Sequence, residues 1–135
     1  MNIKTILLSY VLTFLVFLIV DLAWLGFIAR GVYKKYLGGF LSDNVNWTAA
    51  IIFYLIYVAG ILIFAVHPAI GKNSVMHAII MGALLGFLAY ATYDLTNLAT
   101  LKNWPVNIVI IDMIWGAVLT SIVSLSGFYI VKWIG

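Results

Sequence analysis

The chain has 135 residues, of which 66% are hydrophobic and only 8% are charged, and its mean hydropathy is strongly positive. This composition excludes an ordinary soluble domain and indicates an integral membrane protein. The chain contains no cysteine, which excludes thiolate nucleophiles, thiolate metal ligands and disulfide exchange. Its formal net charge of +3 comes from scattered Lys and Arg residues beside apolar segments, so we expect contacts with lipid headgroups rather than with nucleic acid.

Four apolar segments are long enough to cross a membrane as helices, since a hydrocarbon core of roughly 30 Å requires about 20 apolar residues. The segments are residues 5–29, 46–67, 76–98 and 106–132. We expect the first to be retained, because its apolar run is too long for a signal peptide. Short links between the later segments favour antiparallel neighbours. The sequence therefore predicts an all-α, integral membrane four-helix bundle that forms a single transmembrane domain over residues 1–135.

The link between the first two predicted helices is basic and aromatic. In the stretch RGVYKKYLGGFLSDN, the cations Arg30, Lys34 and Lys35 alternate with Tyr33 and Tyr36. This mixture is typical of an interfacial segment. It would either anchor the ends of the helices or bind anionic lipid headgroups.

Three of the four acidic residues lie inside predicted spans. They are Asp21, Asp94 and Asp112, whereas Asp43 lies in the first loop. A charged Asp at the centre of a bilayer costs about 2.5–3.5 kcal/mol on insertion scales, so these side chains should face the interior of the bundle. Because successive spans run in opposite directions, all three carboxylates fall on the side of the first and third loops.

Helical spacing adds other polar side chains to this group. The stretches DLAW at 21–24, DLTN at 94–97 and DMIW at 112–115 each place a hydrogen-bonding side chain one turn after Asp. Asp94 and Asp112 are the candidates for binding a cation or a proton. The predicted ligand-binding residues are Asp21, Trp24, Tyr90, Asp94, Asn97, Asp112 and Trp115.

Close carboxylates need shared protons, a bound cation or nearby basic groups. Arg30 and Lys102 are predicted near the same edge of the membrane, so structural ion pairs are one alternative to a binding pocket. The small-residue pattern GALLG at 82–86 shares a helix face with Asp94 and should pack against another helix. Tyr54 and Tyr57 are expected to supply packing and one hydroxyl bond each.

Several stretches of the chain together resemble the bacterial membrane family known as domain of unknown function 2177. They are DLAWLG at 21–26, Tyr33, FYLIYVAG at 53–60, TYDLTNLATLKNWP at 92–105 and DMIWG at 112–116. The resemblance covers nearly the whole chain. It implies a small multi-pass protein of the bacterial inner membrane, favours a role connected with lipids, and implies no established activity.

Three hypotheses for the function remain open. The first is a binding or transport protein whose pocket takes a small amphipathic or cationic ligand, a lipid headgroup or a proton. The second is a metal-dependent, lipid-modifying enzyme in which the three Asp residues and Asn97 hold a divalent cation. The third is an accessory subunit that contacts its partner through the GALLG face and the basic first loop. We assign no catalytic residue and no cofactor, and we expect membrane lipids, a small amphipathic ligand and a homodimer as partners.

Overall fold

The computed structural model describes residues 2–42 and 44–135, in which every regular element is a helix. Four of these helices are long and apolar enough to cross a membrane, and a short one follows the first. Asp43, predicted to lie in the first loop, is outside the described residues. The prediction of an all-α four-helix membrane bundle is confirmed. The helices are α1 (Ile3–Ile28), α2 (Arg30–Leu37), α3 (Trp47–Gly71), α4 (Val75–Thr100) and α5 (Val106–Ile134).

Polar residues fix where three of the spans begin. The side chain of Asn2 accepts a hydrogen bond from the backbone N–H of Thr5 at 2.8 Å. Asn46 does the same at the start of α3, and Ser74 at the start of α4. These N-caps satisfy backbone N–H groups that have no partner within the helix.

The helix α3 runs past its predicted end at residue 67. Pro68 was expected to begin a loop, but the chain remains helical up to Gly71. A π-helical turn over Leu62–Val66 precedes the proline and already interrupts the regular hydrogen-bond pattern. The missing N–H of proline therefore breaks the helix less than it would in a regular α-helix.

Helices α4 and α5 pack closely through small residues. A Cβ atom added to Gly86 would lie 1.9 Å from the carbonyl oxygen of Gly116, and one added to Gly82 would lie 2.7 Å from Cβ of Ser124. The prediction that this stripe faces another helix is confirmed. The hypothesis that the GALLG face contacts a partner protein is wrong in this respect, because both glycines are buried against α5 of the same chain.

The two halves of α3 have different neighbours. The first half, up to Ile61, packs mainly against α1, whereas the π-helical turn in the second half packs against α4 and α5. A core around Phe17, Tyr57 and Val58 joins α1, α3 and α5. The first half of α3 and the facing part of α4 thus form the two sides of a crevice.

We predict that Gly86→Ala destabilises the bundle, because its new methyl group would overlap the backbone of α5. Overpacking of this kind costs about 1–3 kcal/mol. Thermal unfolding in detergent should show a lower Tm than the wild-type chain. Gly60→Ala is the matched control, since nothing lies within 4 Å of its added Cβ. Equal Tm values for the two variants would contradict the close α4–α5 contact.

Candidate functional site

Asp21 is buried toward the C-terminal end of α1, where side chains of two other helices donate hydrogen bonds to its carboxylate. Tyr54 of α3 donates its hydroxyl to Oδ2 at 3.1 Å, and Trp115 of α5 donates its indole N–H to Oδ1 at 3.4 Å. Only 7% of the residue is exposed. The carboxylate therefore holds α1, α3 and α5 together through neutral donors.

Asp112 is bound by a side chain from the interfacial helix α2. The Tyr33 hydroxyl donates to Oδ1 of Asp112 and accepts a hydrogen bond from the indole N–H of Trp24 at 3.2 Å. Burial, followed by the bond to Asp112, raises the pKa of the Tyr33 hydroxyl above its usual range. Tyr33 consequently remains a neutral donor to the carboxylate at physiological pH.

Local backbone geometry explains how Tyr33 reaches this position. A π-helical turn over Trp24–Ile28 ends α1, and the N–H of Ala29 bonds to the carbonyl of Trp24 at 2.8 Å. Ala29 is buried and changes the chain direction with φ −108° and ψ 5°. The helix α2 then starts at Arg30 and carries Tyr33 back over the end of the bundle.

The two carboxylates line one open cavity of about 340 Å³. The indole rings of Trp24 and Trp115 stack at 4.3 Å, with 9° between their planes, and form part of its wall. Each ring donates its N–H to one of the two hydrogen-bond networks. The full lining is Asp21, Trp24, Leu25, Tyr33, Ala50, Phe53, Tyr54, Tyr90, Tyr93, Asp112 and Trp115.

An apolar crevice of about 360 Å³ adjoins this cavity. Phe53, Tyr90 and Tyr93 line both spaces, and Ala89 completes the crevice. It lies between the first half of α3 and the facing part of α4, within the part of the chain that spans the membrane. Three aromatic side chains are therefore common to the crevice and to the cavity that contains the carboxylates.

The cavity brings together five of the seven predicted site residues but not Asp94 or Asn97. Asp94 is fully buried, and the indole N–H of Trp104, from the link before α5, donates to it at 3.3 Å. Its carboxyl group lies beside that of Asp112. The Oδ2 atom of Asp94 has no hydrogen-bond partner among the described residues. Asn97 lies one turn further along α4.

Several residues that line the cavity are not among the predicted ligand-binding residues. Tyr33 was noted only in the interfacial segment and in the family resemblance. Tyr54 does form the single hydroxyl bond expected of it, but the partner is the Asp21 carboxylate. Tyr57 likewise shares one hydrogen bond, with Thr120 at 2.7 Å. A tyrosine in an apolar span needs a partner for its hydroxyl, and this requirement was the available signal.

Neutral donors, rather than basic residues, bind the three carboxylates in the described part of the chain. The donors are Tyr33, Tyr54, Trp104 and Trp115. The predicted ion pairs with Arg30 and Lys102 are not among these bonds. Over residues 2–42 and 44–135, no group of three His, Cys, Asp or Glu side chains could hold a metal ion. The three Asp residues therefore do not form the single cluster that the enzyme hypothesis expected.

The fold and the buried carboxylates define a multi-pass helical membrane protein with a polar cavity inside the bundle. The family described as predicted membrane proteins, domain of unknown function 2177, matches residues 6–129, and the chain belongs to this family. The predicted family resemblance is confirmed. No curated protein and no solved structure shows significant similarity to the chain.

We predict that Tyr33→Phe weakens the docking of α2 on the bundle. The change removes the donor to Asp112 and the acceptor for Trp24, and a buried polar group left without its partner costs about 1–3 kcal/mol. Thermal unfolding followed by tryptophan fluorescence should show a lower Tm. Tyr36→Phe is the matched control, because the hydrogen bond that the Tyr36 hydroxyl accepts from Asn107 at 3.0 Å is exposed. The same Tm for both variants would contradict the role given to Tyr33.

Proposed function

We propose that this protein binds a small amphipathic cation in its membrane-embedded cavity. The cationic group would lie between Asp21 and Asp112, and the apolar part would lie in the adjoining crevice. The observation that carries this proposal is the contact between the two spaces. A cavity lined by two carboxylates shares Phe53, Tyr90 and Tyr93 with an adjoining apolar crevice.

The hydrogen bonds to the carboxylates support a cationic ligand. The donors to Asp21 and Asp112 are neutral tyrosine and tryptophan side chains, so they stabilise negative charge without cancelling it. A carboxylate has roughly four acceptor positions, which leaves each group able to bind a further donor. In a medium of low dielectric constant, a positive charge between them would be strongly attracted.

The aromatic walls favour the same class of ligand. Stacked Trp24 and Trp115 present indole faces, which are the strongest cation–π acceptors among the side chains. Tyr90 and Phe53 extend this surface toward the crevice. An alkylammonium group with a short apolar chain combines the charge and the surface that these walls would accept.

The core beneath the cavity favours binding over free conduction. Phe17 is fully buried, and its ring lies 5.2 Å from that of Tyr54 and 5.9 Å from that of Tyr57. Val58 and Ile61 are also fully buried in this core. A ligand entering from the crevice would therefore be held at the carboxylates rather than pass straight through.

We expect octylammonium to bind the purified protein in a neutral detergent more tightly than octanol or octyl sulfate. Quenching of tryptophan fluorescence and the rise in Tm with ligand concentration both measure this binding. Replacing the carboxylates, in Asp21→Asn and Asp112→Asn, should weaken octylammonium binding by about tenfold or more, which corresponds to about 1.4 kcal/mol. Each variant keeps a side chain that can still accept a hydrogen bond.

Asp94→Asn distinguishes this site from the one predicted from the sequence. Asp94 does not line the cavity, so its replacement should reduce octylammonium binding much less than Asp112→Asn. Loss of binding only in Asp94→Asn would move the site to the buried pair. Equal binding of octylammonium and octanol, unchanged in all three variants, would overturn the proposal.

A further inference from the structure

The cavity lined by Asp21 and Asp112 is called the acidic cavity below. A second cavity of about 410 Å³ lies beside it. Its lining includes Arg30 and Lys34 of α2, together with Leu25, Tyr33 and Leu41. Leu25 and Tyr33 also line the acidic cavity. Two spaces of opposite charge thus share a wall in the same region of the bundle.

The two cations of this basic cavity are held on one face of α2. Arg30 and Lys34 are four residues apart, so they are neighbours on the helix surface, and Tyr33 stands beside both. Like charges at this spacing repel each other, and an anion between them would remove the repulsion. Lys35, the third cation of α2, does not line the cavity. Its ammonium group lies 5.3 Å from the centre of the Tyr36 ring instead.

Tyr33 lies between the cations of α2 and the Asp112 carboxylate. Its backbone belongs to the helix that carries Arg30 and Lys34, and its hydroxyl donates to Asp112. The basic cavity and the nearest carboxylate are therefore separated by about one tyrosine side chain. A ligand that bridges them needs an anionic and a cationic group a few bonds apart.

We infer that the natural ligand is a zwitterionic phospholipid whose headgroup joins a phosphate to an amine. The phosphate binds Arg30 and Lys34, and the ammonium group enters the acidic cavity toward Asp112 and Asp21. This inference rests on the proposed function for its ammonium site and adds the phosphate site. It names ethanolamine or choline headgroups as the chemical class.

The surroundings of both cavities favour a lipid over a water-soluble phosphoamine. Phe27 and Ile28, at the end of α1, are 90% and 70% exposed at the membrane edge. The apolar crevice adjoins the acidic cavity and shares Phe53, Tyr90 and Tyr93 with it. The acyl chains can therefore stay in the bilayer along the crevice while the headgroup turns inward.

Three probes with different charges test this inference on the full chain in an uncharged maltoside detergent. Dihexanoylphosphocholine carries both charges, octyltrimethylammonium carries only the positive one, and dihexanoylphosphatidate only the negative one. We expect the first to bind at least about tenfold more tightly than either of the others, as judged by tryptophan quenching. Glycerophosphocholine, which has no acyl chains, should bind more weakly than the lipid.

Variants separate the phosphate site from the ammonium site. Lys34→Gln and Arg30→Gln should weaken dihexanoylphosphocholine binding by about tenfold while leaving octyltrimethylammonium binding unchanged. Asp112→Asn should weaken both. Lys35→Gln removes the same charge from the same helix and should change neither affinity, which controls for the general field of α2.

Each contrary result has a distinct meaning. If octyltrimethylammonium binds as tightly as dihexanoylphosphocholine, or if Lys34→Gln and Lys35→Gln behave alike, the phosphate site is wrong and the proposed cation site still stands. If Asp112→Asn changes neither affinity, the proposed function itself fails. Equal binding of glycerophosphocholine would make the ligand a soluble headgroup rather than a lipid.

Discussion

The need to keep carboxylates inside a membrane governs the architecture of this protein. Each of the three buried Asp residues receives a hydrogen bond from a neutral aromatic side chain on another element. Asp21 connects α1 to α3 and α5, while Asp112 connects α5 to the interfacial helix α2. Because an unpartnered carboxylate in an apolar interior is costly, these bonds stabilise one arrangement of the helices over others that would satisfy the apolar surfaces equally well. The polar network thus specifies how the spans are placed.

Helix packing divides the bundle into a tight side and an open side. Small residues let α4 and α5 approach until the backbone of Gly86 lies against that of Gly116, which makes this pair the closely packed side of the bundle. On the other side, the first half of α3 packs against α1 rather than against α4. The space left between α3 and α4 is the crevice lined by Phe53 and Tyr93. The proposed ligand site uses both sides, because the closely packed pair carries Asp112 and the opposite side contains the crevice.

Hydropathy and helical spacing were sufficient to predict the four spans, the common side of the three carboxylates and the packing of the glycine stripe against another helix. They were not sufficient to predict which side chains donate hydrogen bonds to those carboxylates. The position of Tyr33 depends on the π-helical turn at the end of α1, which no spacing rule indicates. Asp94 is covered by Trp104, a residue from a link whose path depends on the packed bundle. Side-chain neighbours across helices are set by tertiary packing, so sequence periodicity identified the face of each helix but not the contacts of that face.

The separation of charges at the membrane edge follows from the same physics. Guanidinium and ammonium groups on α2 can extend toward the interface, where water solvates them, while the Asp carboxylates are fixed deeper by their aromatic donors. If Arg30 reached down to Asp112, the pair would neutralise the cavity and leave little attraction for a ligand. Tyr33 instead takes the position beside Asp112 and contributes a hydrogen bond without a charge. A neutral residue between opposite charges therefore keeps the carboxylates and the cations from neutralising each other, and the proposed zwitterionic headgroup depends on this separation.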